Sequence, residues 1–363
     1  MKKVCLLCER TSPDNNLFCQ EAFCPAEMSP YILDYGEWLG DIEITRSVST
    51  LRSSAIYEAQ HNGEKVLLKI AHPGPEHTER LKREALLLKK FANDKAPERG
   101  LPKLKPAYTN ATIDTDPYGK AMLKGQLLYY CLFEHFDGAP LRNVLIKTPQ
   151  LWIYHIGWLT LSLASTVALL QNKGFMHCGL SPEVVLVRFE EGSAEPQLLL
   201  ADLGIVSDGQ NLATNWYAEA VLPAYTAPEL LEKPPQANYA TDVYGIGLIL
   251  YELLVGQPVF PFKLSNDDDI YAAVRKNQYV RMDRFEDVKE IAALAVKAIS
   301  PASSNRQQNA AELAAALLPV FGTPSRAKRE SWLQPRTALI LIAALLAIAF
   351  VITMAIFVHQ ALA

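Results

Sequence analysis

The chain has 363 residues, half of them hydrophobic, with a formal charge of −4 and a pI near 6.0. That length allows two lobes with a sizeable buried core, plus small appendages. The charge balance excludes the broadly basic surface of a general nucleic-acid binder, so no nucleic-acid partner is expected.

Four of the six cysteines fall within the first 24 residues, as Cys5-x2-Cys8 and Cys19-x4-Cys24. Four thiolates from two short segments match the ligand count of a tetrahedral structural zinc. A module of about thirty residues has little core, so the metal would be its main source of folding energy. Residues 1–30 resemble a zinc ribbon or zinc knuckle, although the second pair departs from two-residue spacing; free or redox-active thiols are the alternative. The set holds no histidine, which favours structural over catalytic zinc. The apolar run after Met1-Lys2-Lys3 is too short for a secretory leader, so a reducing, cytoplasmic setting is expected.

Between Tyr35 and Phe136 short alternating runs predict antiparallel strands: Ile42–Thr45, Ala55–Ala59 and Val66–Ile70, the last two joined by a turn at Asn62-Gly63. After Pro73-Gly74-Pro75 the period becomes helical, with Leu81, Ala85, Leu88 and Phe91 on one face and Glu84 turned inward with them. From Leu141 helices dominate. Trp152–Lys173 is a long apolar helix, followed by strands at Val184–Val187 and Leu198–Leu200. The pattern is α+β: a smaller sheet lobe over 36–136 and a helical lobe over 137–320. Residues 321–336 form a basic linker, with Arg326, Lys328, Arg329 and Arg336 against Glu330, plus an interfacial-type Trp332. The stretch 337–358 is free of charge and, as a helix, spans about 33 Å. It is expected to be a single transmembrane helix, with residues 1–336 cytoplasmic and the C-terminus outside. Ala343, Ala344, Ala347 and Ala349 could pack against another helix, but a plain lipid anchor is the simpler expectation.

The order of motifs over residues 40–318 resembles the protein kinase superfamily, and the single-helix layout resembles bacterial kinases of the eukaryotic type. Val66-Leu67-Leu68-Lys69 looks like the strand presenting the phosphate-pairing lysine, and Glu84 like its helix partner. Phe133–Gly138 resembles the hinge, and His177-Cys178-Gly179-Leu180-Ser181-Pro182-Glu183-Val184 the catalytic loop. Asp202-Leu203-Gly204 stands at the magnesium-binding triplet and Ala227-Pro228-Glu229 at the end of the activation segment. Thr241–Gly247 resembles the helix that anchors the catalytic loop, and Arg306 the partner of Glu229. The resemblance implies a two-lobed kinase-like fold, with Lys69, Glu84 and Asp202 as the residues that could hold a nucleotide and magnesium.

The same alignment shows losses. The base aspartate position holds Gly179, the preceding arginine Cys178, the loop lysine Ser181 and the metal-binding asparagine Val184; Ser49, Leu51 and Ser54 stand at the three glycines of the phosphate loop. Phosphoryl transfer needs a base, metal ligands and phosphate donors together. No catalytic residue is therefore assigned. Lys69, Glu84 and Asp202 are read as an ion pair and a capping carboxylate joining the lobes, with retained nucleotide binding as the alternative. Glu229–Arg306 reads as a structural ion pair, Asp242 as a cap for catalytic-loop amides, His177 as a core histidine, and Cys131 and Cys178 as buried small hydrophobes. Ser207, Thr214, Tyr217, Tyr225 and Thr226 lie in the activation segment, but Cys178 removes the arginine that would hold a phosphate there. The expected function is a membrane-tethered pseudokinase, a scaffold or allosteric partner of a kinase, phosphatase or other signalling protein. The alternatives are an atypical kinase with Glu183 as substitute base, or an ATP-binding switch.

Overall fold

The computed structural model describes residues 2–4, 11–12, 30–92, 99–191, 193, 195–260, 266–278, 282 and 288–321. Cys5, Cys8, Cys19, Cys24 and the apolar segment 337–358 lie outside the described residues. In chain order the strands are β1 (Lys2–Val4), β2 (Thr11–Ser12), β3 (Tyr31–Ile32), β4 (Trp38–Leu39), β5 (Ile42–Thr50), β6 (Ser54–His61), β7 (Glu64–Ala71), β8 (Leu104–Lys105), β9 (Gly119–Leu123), β10 (Gln126–Glu134), β11 (Ala139–Pro140), β12 (Val185–Arg188) and β13 (Gln197–Leu200). The helices are α1 (Pro75–Ala92), α2 (Leu141–Lys147), α3 (Ile153–Asn172), α4 (Leu212–Asn215), α5 (Tyr239–Val255), α6 (Asp267–Arg275), α7 (Lys289–Ala298) and α8 (Ala310–Phe321).

The smaller lobe is an antiparallel sheet in the order β4-β5-β6-β7-β10-β8, with β9 paired to β10. The β6–β7 turn is made by Asn62 and Gly63, both at positive φ (51° and 78°), as a two-residue hairpin of this twist requires. Strand alternation sorts the side chains onto two faces. Ile56, Leu67 and Ala71 pack with Leu81, Ala85 and Leu88 of α1, and that core continues into the larger lobe. Ala55, Tyr57, Val66, Leu68 and Ile70 form a second core on the opposite face, sealed by Ile32 and Leu33. Lys69 shares the parity of Leu67 and Ala71, so the pleat directs it toward α1. β1 pairs antiparallel with both β2 and β3.

The larger lobe is built around α5, whose side chains are buried on every face from Ala240 to Leu254. Its start is fixed by a capping box: Asn238 Oδ1 accepts from Ala240 N at 2.9 Å, and Thr241 Oγ1 accepts from Asn238 N at 3.0 Å. Its end is fixed by Gly256 in the left-handed region. Among the described residues α3 is the one helix long and apolar enough to cross a membrane, and 61% of that window is buried. It packs against α5, α8 and β13 as a core helix. The expected pair Glu229–Arg306 is present and bidentate at 2.7 and 2.9 Å, and Arg306 also donates to the carbonyls of Ala240, Ser300 and Pro301.

Candidate functional site

The cleft between the lobes is organised by four buried charges. Lys69 Nζ donates to Glu84 Oε2 and, at 2.6 Å, to Asp202 Oδ1. The helical period that turns Glu84 inward also brings Arg80, one turn earlier, onto the same face. Arg80 Nη2 meets Asp202 Oδ2 at 2.6 Å, and its Nη1 donates to the Ala220 carbonyl at 2.8 Å. Glu84 Oε1 accepts from Leu203 N at 3.2 Å and Asp202 Oδ1 also accepts from Gly204 N at 3.3 Å. A Cβ on Gly204 would collide with the Arg80 side chain. Burial works to raise the Asp202 carboxyl, but the charges of Arg80 and Lys69 outweigh it and hold it well below the usual carboxylate range. Burial likewise opposes the charge on Lys69, and Asp202 and Glu84 overcome it, raising its pKa. Glu84 is raised by burial, against the pull of Lys69.

The catalytic-loop segment is held from below by Asp242 in the first turn of α5, as expected for a cap. Asp242 accepts from His177 N at 3.0 Å and Cys178 N at 2.8 Å, and from Gln171 Nε2 at 3.2 Å. Burial pushes its carboxyl up to about 6 despite these bonds. Cys178 takes a positive φ of 59°, a strained conformation for a residue with a side chain, and its carbonyl accepts from Trp216 Nε1 at 3.1 Å. Cys131, Cys178 and His177 are all buried. At Gly179 a Cβ would overlap the Ile205 side chain and crowd Val221. Val184 is buried at the next position of the loop that lost its polar group. Glu183 is held at its Oε1 by Arg142 Nε at 2.7 Å, and Arg142 also pairs with Glu252 and donates to Tyr225 Oη at 2.5 Å.

The turn at Leu51–Ser53, in the place of a phosphate loop, is pinned to both lobes. His72 Nε2 donates to the Leu51 carbonyl at 2.8 Å, and His72 N to the Ser53 carbonyl at 2.9 Å. Arg52 makes a bidentate pair with Asp267 of α6 at 2.6 and 2.9 Å. Ser49 Oγ donates to the Glu183 carbonyl at 3.4 Å. Beneath the turn lies a cavity of about 310 Å³ lined by Ser47–Arg52, Arg80, Arg142, Gly179, Ser181, Glu183, Val184, Asp202 and the segment Ala220–Ala224, among others. Its lining includes neither Lys69 nor the hinge-like residues Glu134–Phe136. Ile56, Leu67, Phe133 and Leu186 are at most 3% exposed and belong to one continuous core.

The activation-type segment is fastened without any added charge. Arg83 donates to Asn215 Oδ1 at 2.9 Å and to the Gly204 carbonyl, and Tyr271 Oη donates to the Ala218 carbonyl at 3.1 Å. Of the hydroxyls singled out in this segment, Ser207, Tyr225 and Thr226 are buried, Tyr217 is half-buried and Thr214 is exposed.

A model of the protein kinase domain matches residues 119–333, more than half of the chain. The chain belongs to the protein kinase domain family. Among curated relatives it is 35% identical to the serine/threonine-protein kinase PkaA of Streptomyces coelicolor over 141 residues, 38% of this chain and 25% of that protein. It is 27% identical to the serine/threonine-protein kinase PknB of Mycobacterium tuberculosis over 242 residues, 63% of this chain and 36% of that protein. A calcium/calmodulin-dependent protein kinase type II of Caenorhabditis elegans is 32% identical over 117 residues, 32% of this chain and 15% of that kinase. The matched region thus spans a third or less, or little more, of these kinases. In the kinase-domain frame, the structure brings Lys69, Glu84 and Asp202 together as the sequence implies, and adds Arg80, Arg52–Asp267 and Arg142, which the motifs do not mark.

The kinase family implies magnesium and ATP, and the residues of this cleft do not fit them. Both oxygens of Asp202, which also lines the cavity, are paired with cations, each oxygen of Glu84 has a protein donor, and Val184 offers no ligand.

The buried histidines make stability depend on pH. Burial lowers both His72 and His177 from 6.5 to about 4. As pH falls through that window the unfolded chain takes up protons that the folded chain refuses, so stability drops by up to about 3 kcal/mol per histidine. Asp242 acts in the opposite sense, because the folded chain protonates it near pH 6 while the unfolded chain waits until about 4. His77, lowered by burial, acts with the two histidines, and Glu84 and Glu252, raised by burial, act with Asp242; the part that His72 contributes is a fall in melting temperature from pH 6.5 to pH 4. His72→Gln, whose amide can still donate to Leu51, flattens that fall; an unchanged slope in thermal melts would show that His72 is not a source of it.

Proposed function

We propose that this chain is a pseudokinase that works as a membrane-tethered signalling scaffold or allosteric partner of a kinase, phosphatase or other signalling protein. The observation that carries the reading is the base position. Gly179 has no proton acceptor, and Ile205 occupies the space any side chain there would need. Without a base or the second metal ligand at Val184, the hydroxyl of a substrate is neither oriented nor relieved of its proton. The relatives' serine/threonine kinase activity therefore does not carry over to these residues, while the two-lobed shape does. One observation favours the alternative of an atypical kinase or ATP-binding switch: Lys69, Glu84 and Asp202 are assembled as an active arrangement would need.

The tether is proposed from the uncharged run 337–358 and its basic flank. The amino-terminal module is proposed to hold one structural zinc on Cys5, Cys8, Cys19 and Cys24. Its support is the ligand count and spacing, Cys5-x2-Cys8 followed by Cys19-x4-Cys24.

Full-length protein in detergent is expected to move no labelled γ-phosphate onto itself or a generic substrate, and Gly179→Asp is expected not to restore transfer. Transfer abolished by Asp202→Ala contradicts the reading. Release of the chain from membranes by a carbonate wash contradicts the tether. Metal analysis is expected to return about one zinc per chain, lost in Cys5→Ser; a metal-free, fully folded chain refutes the site.

A further inference from the structure

We propose that Arg80 is a resident cation standing where a kinase would place magnesium, so that the closed arrangement of α1, β7 and the Asp202 segment forms without metal or nucleotide. The inference goes beyond the loss of the base, since a chain can lose Gly179 chemistry and still bind metal. It rests on three observations. First, every carboxylate oxygen already faces a protein donor: Asp202 Oδ1 meets Lys69 and Gly204 N, Asp202 Oδ2 meets Arg80, Glu84 Oε2 meets Lys69 and Glu84 Oε1 meets Leu203 N. Magnesium demands a near-octahedral set of oxygens, and an ion entering from the cavity that Asp202 lines would have to displace Arg80 or Lys69 to reach its carboxylate. Second, the charges balance, two cations against two anions, with all four side chains at most 4% exposed. A further divalent ion would leave the site with excess buried positive charge. Third, the arginine is built in. Its stem lies on Gly204, where a Cβ would collide with it, and its Nη1 is tied to Ala220 of the following segment at 2.8 Å. One side chain thus joins helix, triplet and activation segment, which an ion and its waters would otherwise have to bridge.

The consequence is a shape that is permanently formed. A partner that reads the relation between α1 and the larger lobe meets the same surface whether nucleotide is abundant or absent.

The test is Mn²⁺ binding by the full chain in detergent, read by electron paramagnetic resonance and by thermal melting with Mn²⁺ or Mg²⁺ alone. The native chain is expected to bind no Mn²⁺ at this site and to melt at the same temperature with or without millimolar metal. Arg80→Ala is expected to melt several degrees lower and to regain part of that loss with Mn²⁺, a response removed by adding Asp202→Asn. Arg80→Lys, which keeps a cation, should remain indifferent to metal. Mn²⁺ bound by the native chain and lost in Asp202→Asn overturns the proposal, and that arm stands even if Arg80→Ala does not fold. A folded Arg80→Ala whose melting is unaltered in all conditions overturns it too.

Discussion

The cleft depends on how two buried carboxylates are neutralised. Removing Glu84 and Asp202 from water costs several kcal/mol each unless they are paired and hydrogen-bonded. One lysine cannot satisfy both. Lys69 bridges them, and Arg80 supplies the second cation from the same helix that carries Glu84. Because β7, α1 and the segment after β13 each contribute a member, the neutralisation also fixes how the sheet, the helix and the larger lobe meet. The interaction is thus part of how the two lobes are joined.

The rest of the cleft is consistent with that priority. A turn that cradles phosphates needs a free backbone, whereas this one carries side chains and is fastened through Leu51, Arg52 and Ser53 to His72 and Asp267. The activation-type segment is held by Arg83, Tyr271 and Trp216 through neutral acceptors, so its position requires no phosphate. Below it, Asp242 and the Glu229–Arg306 pair retain the framework of the helical lobe. The family's architecture is retained in these contacts, while Gly179 and Val184 stand at the positions aligned with the base and the second metal ligand.

Much of this was legible in the residues. Alternation in Val66–Ile70 and the 3.6-residue period of α1 place Lys69 and Glu84 on facing sides, and the structure joins them. The caps and ion pairs follow from motif order, because Asp242, Glu229 and Arg306 act through backbone positions that the fold itself defines. Arg80 carries no motif signal, although its spacing of four from Glu84 puts it on the inner face; an arginine on a charged helix reads as solvated unless its partner, 122 residues away, is known. Arg52–Asp267 and Arg142–Glu252 were hidden for the same reason, being contacts between segments with no shared period. The second core is a further case. Ile32 and Leu33 sit in a stretch without a motif, yet they seal the outer face of the sheet.

We infer that Arg80 and Lys69, by occupying the Asp202 carboxylate, keep a metal-nucleotide pair out of this cleft. Isothermal titration of the full chain with Mg-ATP tests it most directly. The account predicts no binding heat beyond dilution, in native protein and in Lys69→Met alike. A saturable one-site isotherm in the native chain that disappears in Lys69→Met would contradict it.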